Sequence, residues 1–284
     1  MVKTSATSVG ILYIVATPIG NRDDISLRAL ATLKSVDTIL AEDTRHSGQL
    51  LSALGIHKPL VSLHAHNEAN KSEAIIQALQ QGKCFALISD AGTPLISDPG
   101  FPLVRLAREQ QITVVPIPGA CALITALSAA GVACDSFTFI GFLPAKQSAR
   151  RAKLESLRQS EHTIVFYEST HRILDSLDDL IEVYGPNYEF VVAKELTKTF
   201  ERFINGTGQN IKNWFLAEEA HTKGEFVFIL PARPEEDTTN QQEKDILLLL
   251  LNELALKQAV KIASLLTKKN KNELYKLALE LTKD

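Results

Sequence analysis

The chain has 284 residues, 45% hydrophobic and 22% charged, with a formal net charge of −3. This is the make-up of an ordinary soluble globular protein of two or three domains. It excludes a nucleic-acid binder that works by bulk positive charge, so any such contact must use a local patch. Three cysteines, Cys84, Cys121 and Cys134, match no zinc spacing, and Cys84 and Cys121 read as buried, reduced thiols of a cytosolic protein. No metal site is visible. Residues 1–10 lack the apolar core of a signal peptide, and the apolar run 246–251 is too short to span a bilayer.

The first apolar strand, 12–15, runs into ATPIGN at 16–21, a strand-to-loop signal without the GxGxxG dinucleotide fingerprint. Asp23 and Asp24 lead a helix over 25–33, where acids suit the positive end of the helix dipole. A second strand, 36–40, ends in the ionisable cluster Ala41-Glu42-Asp43-Thr44-Arg45-His46. A solvated helix start and a catalytic or substrate-gripping loop both account for it. A helix over 47–54 stops at Gly55, and a strand over 60–63 ends in His64-Ala65-His66. These two histidines have no partner cluster at ligand spacing, so polar residues near a cleft are the better reading. A helix over 72–80 follows, with Gly82 just past its end.

The strand 84–88 then leads into SDAGTPLISDPG at 89–100. Its density of Gly and Pro fixes a defined loop. A loop at the carboxyl end of a parallel strand lies where open α/β sheets place their ligand crevice. Gly92 permits close backbone approach, and the aspartates can accept hydrogen bonds from hydroxyls or amines. The helix 101–110 and strand 113–116 complete a doubly wound α/β domain.

Pro118-Gly119-Ala120 opens a second unit: a small-residue helix over 122–130, a strand over 137–142, and then Lys146, Arg150, Arg151, Lys153 and Arg158. Taken alone, these cations describe a solvated helix face. Strands over 163–167, 190–193 and 225–230, with helices over 173–183 and around Trp214, finish the unit. The stretch 231–239, with two prolines and paired acids, reads as a linker. From 246 to 281 the pattern is wholly helical and suits a helix-turn-helix module capped near Asn272, or a helical tail packed on the body or on a second subunit.

LYIVATPIGN at 12–21, DTILAEDTRHS at 37–47, SDAGTPLISDPG at 89–100, PIPGACALITALSAAG at 116–131, FYESTHR at 166–172, AKELTKTFE at 193–201 and KGEFVFIL at 223–230 resemble the tetrapyrrole-methylase-type, or class III, S-adenosylmethionine-dependent methyltransferases. The likeness covers almost the whole chain and is greatest to the branch acting on small-subunit ribosomal RNA. It implies two α/β domains (1–118 and 119–233) with S-adenosyl-L-methionine in the cleft between them, an added helical tail (234–284), and a homodimer. It implies 2'-O-methylation of a cytidine in 16S ribosomal RNA near the decoding centre. Carried over by motif, the cofactor residues are Asp90, Gly92, Thr93, Ile96, Asp98, Ser128, Ala129, Phe166, Tyr167 and Glu225.

Within that resemblance the chemistry needs a base for a ribose hydroxyl. Glu42, Asp43, His46, Lys194 and Glu195 are the candidates. The loop 42–46 comes first, because it is strand-terminal on the same sheet edge as the cofactor loop. Lys194 with Glu195 follows, with a structural ion pair as the competing reading. RNA phosphates would meet Arg22, Arg45, Lys146, Arg150, Arg151 and Lys198. A net acidic protein acting on RNA is expected to need a preformed particle, the small ribosomal subunit, whose shape supplies specificity. A small-molecule methylase and a non-catalytic RNA adaptor are the alternatives. The basic helix and tail argue against the first, and the ionisable loop after Leu40 against the second.

Overall fold

A computed structural model of the chain describes residues 9–232 and 235–282, with the side chains of 235–242 outside that description. The first half is a five-stranded, wholly parallel sheet of β1 (Ile11–Val15), β2 (Thr38–Ala41), β3 (Leu60–Ser62), β4 (Phe85–Leu87) and β5 (Thr113–Ile117), in the order β3-β2-β4-β1-β5. Its strands are short apolar runs because both faces are covered. On one face Leu12, Leu40 and Leu87 pack with Ile75, Leu79 and Leu103, from α3 (Glu68–Gln80) and α4 (Phe101–Glu109). On the other, Val15, Ile39 and Ile88 pack with Leu33 and Leu51, from α1 (Leu27–Ser35) and α2 (Thr44–Ala53). Because every strand is parallel, the loops after β1, β2 and β4 all emerge at one edge. Thr17 and Gly92 exchange backbone hydrogen bonds of 2.9 and 3.0 Å, which ties the first of those loops to the third.

The second half is a mixed sheet. β6 (Phe137–Phe142), β7 (Thr163–Ser169), β8 (Glu189–Lys194), β9 (Arg202–Thr207) and β10 (Glu225–Leu230) are ordered β6-β7-β10-β8-β9, and only β6 and β7 pair in parallel. Side chains alternate along β10 as the pleat requires. Phe226, Phe228 and Leu230 join the aromatic core under α6 (Gln147–Leu157), α7 (Ile173–Tyr184) and α8 (Gly208–Ala217). Val227 and Ile229 face α5 (Ala122–Ala129) and Ile19. The strand β9 is absent from the sequence reading: RFINGT carries Asn and Gly, both unfavourable in strands, and forms because β8 offers it a full antiparallel partner.

The last three helices, α9 (Glu235–Leu251), α10 (Leu256–Thr267) and α11 (Lys271–Leu281), bury Leu247, Val260, Ala263, Leu274 and Ala278 in a cluster of their own. The expected linker is therefore shorter than 231–239, since the helix begins at Glu235 and residues 233–234 lie outside the described residues. The cap of the last helix is Asn270, whose side chain accepts from Asn272 N at 2.8 Å. Among the described residues, no helix is long and apolar enough to cross a membrane. The cysteines are free. Cys84 and Cys121 are half-buried rather than buried, and Cys134 is exposed.

Candidate active site

The loops at the carboxyl edge of the first sheet meet the mixed sheet across a cavity of about 530 Å³. The loop after β4 supplies Asp90, Gly92, Thr93, Ile96 and Asp98 to its wall. That loop is held in an unusual backbone: Leu95 (φ 73°) and Ser97 (φ 70°) are both left-handed without being glycine. Such residues each cost about 1–3 kcal/mol and persist where the surroundings fix them. Here the Thr17–Gly92 bridge fixes one end, and Thr93 Oγ1, donating to Ala120 O at 2.9 Å, fixes the middle. Gly92 has φ 82°, and a Cβ there would stand 3.2 Å from Ile19 Cγ2, so the bridge fits best with no side chain.

The opposite wall comes from the mixed sheet. Tyr167 packs edge-on against Phe139 (4.9 Å) and Phe142 (5.7 Å), and its hydroxyl accepts from Leu123 N at 3.1 Å. Burial drives its phenol above the ordinary value. Its strand neighbour Phe166 points the other way, fully buried and stacked on Phe228 at 4.8 Å. Of the adjacent pair expected at the cofactor, only Tyr167 reaches the cavity, because successive strand residues face opposite sides. Ser128 and Ala129 are also outside it. They are exposed at the far end of α5, and Ser128 Oγ donates to Thr125 O, while Cys121 and Ala122 at the near end line the wall. Glu225 lines it from the start of β10.

Three carboxylates, Glu42, Asp90 and Asp98, line the cavity from the loops of the first sheet. Burial raises the Glu42 carboxyl, the charge of Asp90 adds to this, and His64 opposes it. Burial also pushes Asp98 up to about 6; a hydrogen bond with Ser89 resists this, and the charges of Glu42 and Asp90 reinforce it. A carboxyl at about 6, as at Asp98, exchanges its proton closer to neutrality than an ordinary carboxylate.

Of the remaining candidates for the base, His46 faces a neighbouring cavity and not this one, and the other three are committed elsewhere. Asp43 is the N-cap of α2, accepting from Arg45 N at 2.8 Å and His46 N at 3.4 Å, with Arg45 Nη2 at 3.1 Å. Those contacts, the Arg45 side chain first, hold its carboxyl down at about 2. Lys194 is buried, donates to the Lys223 carbonyl and lies 5.5 Å from the Phe226 ring centre. Burial lowers its ammonium pKa, Glu195 opposes the shift and Lys198 adds to it. Glu195 accepts from Lys198 Nζ at 2.8 Å and Glu225 N at 2.9 Å. Burial raises its carboxyl, and those hydrogen bonds outweigh the burial and leave it below its ordinary value. Neither Lys194 nor Glu195 lines the cavity.

Glu168 belongs to the FYESTHR motif but is not among the candidate site residues. Its side chain is fully buried behind the cavity and accepts from Ser169 N (2.7 Å), Arg172 Nη2 (2.7 Å) and Ser176 Oγ (2.6 Å). Arg172 also donates to Leu143 O at 3.0 Å. This network fixes the turn carrying Thr170 and His171 at the rim. Glu168 lies near the end of β7 and Arg172 is the N-cap of α7, so their i,i+4 spacing is not a helical pair, and the turn between them brings the two together.

A second cavity of about 400 Å³ adjoins the first, with Ile19, Asp90, Ala91 and Glu225 common to both. Arg22, His46 and Lys198 face it. Lys198 Nζ is bound to Glu195 (2.8 Å) and Glu225 (3.0 Å). Arg45 is almost wholly exposed and, among the described residues, paired only with Asp43. The basic helix is otherwise employed. Arg150 is buried, with Nε 2.5 Å from Asp179 Oδ2, so it is a structural residue and not a free phosphate ligand. Arg151 Nε lies 2.6 Å from Asp179 Oδ1, and its Nη1 is bound to Glu182. Lys146 remains exposed at the N-cap of α6. Among the described residues, no group of three or more His, Cys, Asp or Glu side chains is placed to hold a metal ion.

Residues 11–212 match the model of the family described as Tetrapyrrole (Corrin/Porphyrin) Methylases, and residues 237–282 match that described as the RsmI C-terminal HTH domain. The chain is 53% identical over 273 residues to the ribosomal RNA small subunit methyltransferase I of Haemophilus influenzae, covering 95% of this chain and 96% of that one. It is 48% identical over 279 residues to the protein of that name from Escherichia coli O157:H7, covering 98% of each. Among solved structures, the uroporphyrin-III-C-methyltransferase of Thermus thermophilus superposes with a TM-score of 0.55 at 21% identity, covering 78% of this chain and 95% of that one, a likeness of fold. The chain belongs to the tetrapyrrole methylase family, in its ribosomal RNA small subunit methyltransferase I branch.

Proposed function

We propose that the protein uses S-adenosyl-L-methionine to methylate the 2'-hydroxyl of a cytidine in 16S ribosomal RNA, near the decoding centre of the assembled small subunit, and that it works as a homodimer. The observation that carries the reading is a cavity lined by Glu42, Asp90, Asp98 and Glu225 together with apolar side chains, in a chain 48–53% identical over nearly its whole length to named ribosomal RNA methyltransferases.

The residues present suit that cofactor. The volume of about 530 Å³ falls within the range of small-molecule sites. Asp90 and Asp98 offer acceptors for ribose hydroxyls and an amine. Ile96, Phe142 and Tyr167 offer apolar surface for a base, and Gly92 lets the backbone come close. When bound, S-adenosyl-L-methionine supplies an electrophilic methyl group on a positively charged sulfur.

The acceptor hydroxyl must lose its proton as its oxygen becomes a nucleophile. Glu42 is the residue for that step. It lines the cavity, whereas Asp43 caps α2 and His46 faces the second cavity, and its raised pKa gives the ionised form more basicity than an ordinary carboxylate. Asp43 holds the N-terminus of α2 and donates its backbone N–H to Asp90 Oδ1 at 3.1 Å, so it orients the acids beside it. Holding both reactants in one cleft supplies much of the remaining rate.

The test is transfer of labelled methyl groups to isolated small ribosomal subunits, followed by nuclease digestion and nucleoside analysis. Labelled 2'-O-methylcytidine is the expected product. Cofactor binding by calorimetry, with no label in subunits or naked RNA, would point instead to a small-molecule acceptor. Equal activity on short naked RNA would remove the requirement for a preformed particle.

A further inference from the structure

The second cavity has features that cofactor binding does not use. His46, Gln49, Leu50 and Ala53 all face it. They are spaced i, i+3, i+4 and i+7 along α2, a single stripe of the helix, while Ser47 and Leu51 on the other side are buried in the body. The side chains of Arg22, His46 and Gln49 form no hydrogen bond or ion pair among the described residues. One cavity therefore gathers a free guanidinium, a free imidazole, a free amide and the apolar walls of Ile19 and Leu50. Its acidic side is the wall shared with the first cavity, at Asp90 and Glu225, and Glu225 is already bound to Lys198.

We infer that this cavity is the seat of one nucleotide of the acceptor strand, extruded from its stack, with its backbone phosphate toward Arg22, its base against Ile19 and Leu50 with its edge at Gln49, and its ribose at the wall shared with the cofactor cavity. The inference rests on the RNA-methylating reading and adds the acceptor subsite to it. The chemistry matches part by part. A phosphate needs a cation with free donors, and guanidinium is the best match to its geometry. A base needs flat apolar surfaces and an edge partner able both to donate and to accept, which a primary amide is. A ribose hydroxyl in a duplex or stacked strand does not reach an enclosed cleft unless its nucleotide is turned out. The shared wall places that ribose next to Asp90, the residue bound to the backbone of the Glu42 loop.

The test is a steric block. Ala53 is exposed at the end of α2, so Ala53→Trp fills the cavity without disturbing the core. Expected results are S-adenosyl-L-methionine affinity by calorimetry within about twofold of wild type, which also reports correct folding, and methyl transfer to small subunits lowered in kcat/KM by about 100-fold. Gln49→Ala should raise KM for subunits about tenfold with the same cofactor affinity, a loss in the range of one base-edge contact. Wild-type transfer together with fully active Ala53→Trp and Gln49→Ala variants would overturn the inference alone. No transfer by the wild type would overturn the RNA reading, and the inference with it.

Discussion

Two clusters of cations invite the same reading in the sequence and differ in the structure. Along α6 and just before it, Lys146, Arg150, Arg151, Lys153 and Arg158 make the densest basic stretch of the chain. At the mouth of the cleft Arg22 and Lys198 stand far apart in the chain and make no stretch at all. Yet in α6 Arg150 and Arg151 converge on one buried carboxylate, Asp179, and Arg158 lies 3.3 Å from Glu155. The cleft mouth keeps Arg22 free and places it on a cavity. Charge that a sequence displays is thus different from charge a surface can offer, and the partners that decide between them are dozens of residues away. The two regions should also fail differently: substitutions at the cleft should abolish chemistry and spare the fold, and substitutions under α6 should do the reverse.

The largest effect should come from Glu42→Gln. Removing a general base lowers kcat by about 10²–10⁴-fold. Cofactor affinity should change little. In the wild type, kcat/KM should fall as the pH drops through the raised Glu42 pKa, because the base is then protonated, and this limb should vanish in the variant. Stability should move the opposite way. A carboxyl whose folded pKa lies above its unfolded value binds its proton more tightly when folded, so its ionisation opposes folding at neutral pH. Glu42→Gln removes that opposition, and its melting temperature at pH 7 should equal or exceed that of the wild type. Full activity with an unchanged pH profile would remove Glu42 from the mechanism.

Under α6, Asp179→Ala leaves Arg150 buried without its partner. Breaking such a pair costs about 3–5 kcal/mol, read as a lower denaturation midpoint. The rate per folded molecule should be unchanged. Burial raises the Asp179 carboxyl, and its hydrogen bonds to Arg151, Arg150 and Gln147 outweigh this and leave it depressed. Its contribution is therefore present above the unfolded carboxylate pKa of about 3.9 and lost as the pH falls through the folded value. The wild type should accordingly lose stability toward acid more steeply than the variant. A variant as stable as the wild type, but poorer in RNA binding, would return α6 to the RNA surface.

The same contrast explains what the sequence made legible. Short apolar runs marked nine of the ten strands among the described residues near their positions, most plainly in the first sheet, where both faces are covered. β9 escaped, since RFINGT is a strand by its neighbour's pairing and not by its own composition. The loop 89–100 was legible as a defined loop at the carboxyl end of a parallel strand, a pattern that a structural turn capped by Asp and Ser also satisfies, and its place on the cavity wall comes from the packing of the two sheets. What could not be read was direction. Phe166 and Tyr167 are adjacent and aromatic, and the pleat sends one to the core and one to the cavity. Ser128 and Ala129 share a helix with Ala122, and only the helix N-terminus meets the cavity. Gln49, Leu50 and Ala53 look like ordinary helix residues until α2 is placed against the loop carrying Arg22.

The smallest effect separates the two clusters most directly. Each cation that binds a phosphate releases counterions, and its removal lowers the slope of log affinity against log salt by about one. Arg22→Ala should show that reduction in binding to small subunits, with affinity weakened at low salt and the difference shrinking as salt rises. Arg151→Ala should leave the slope where it was. Its guanidinium is held by Asp179 and Glu182, so the wild-type protein has no free charge there to displace counterions from RNA. Reversed slopes would mean that α6 exchanges its internal partners for phosphate on binding and that the cleft mouth stays clear of the backbone. Equal reductions would mean that the RNA spans both regions, with Asp179 released from Arg151 in the complex.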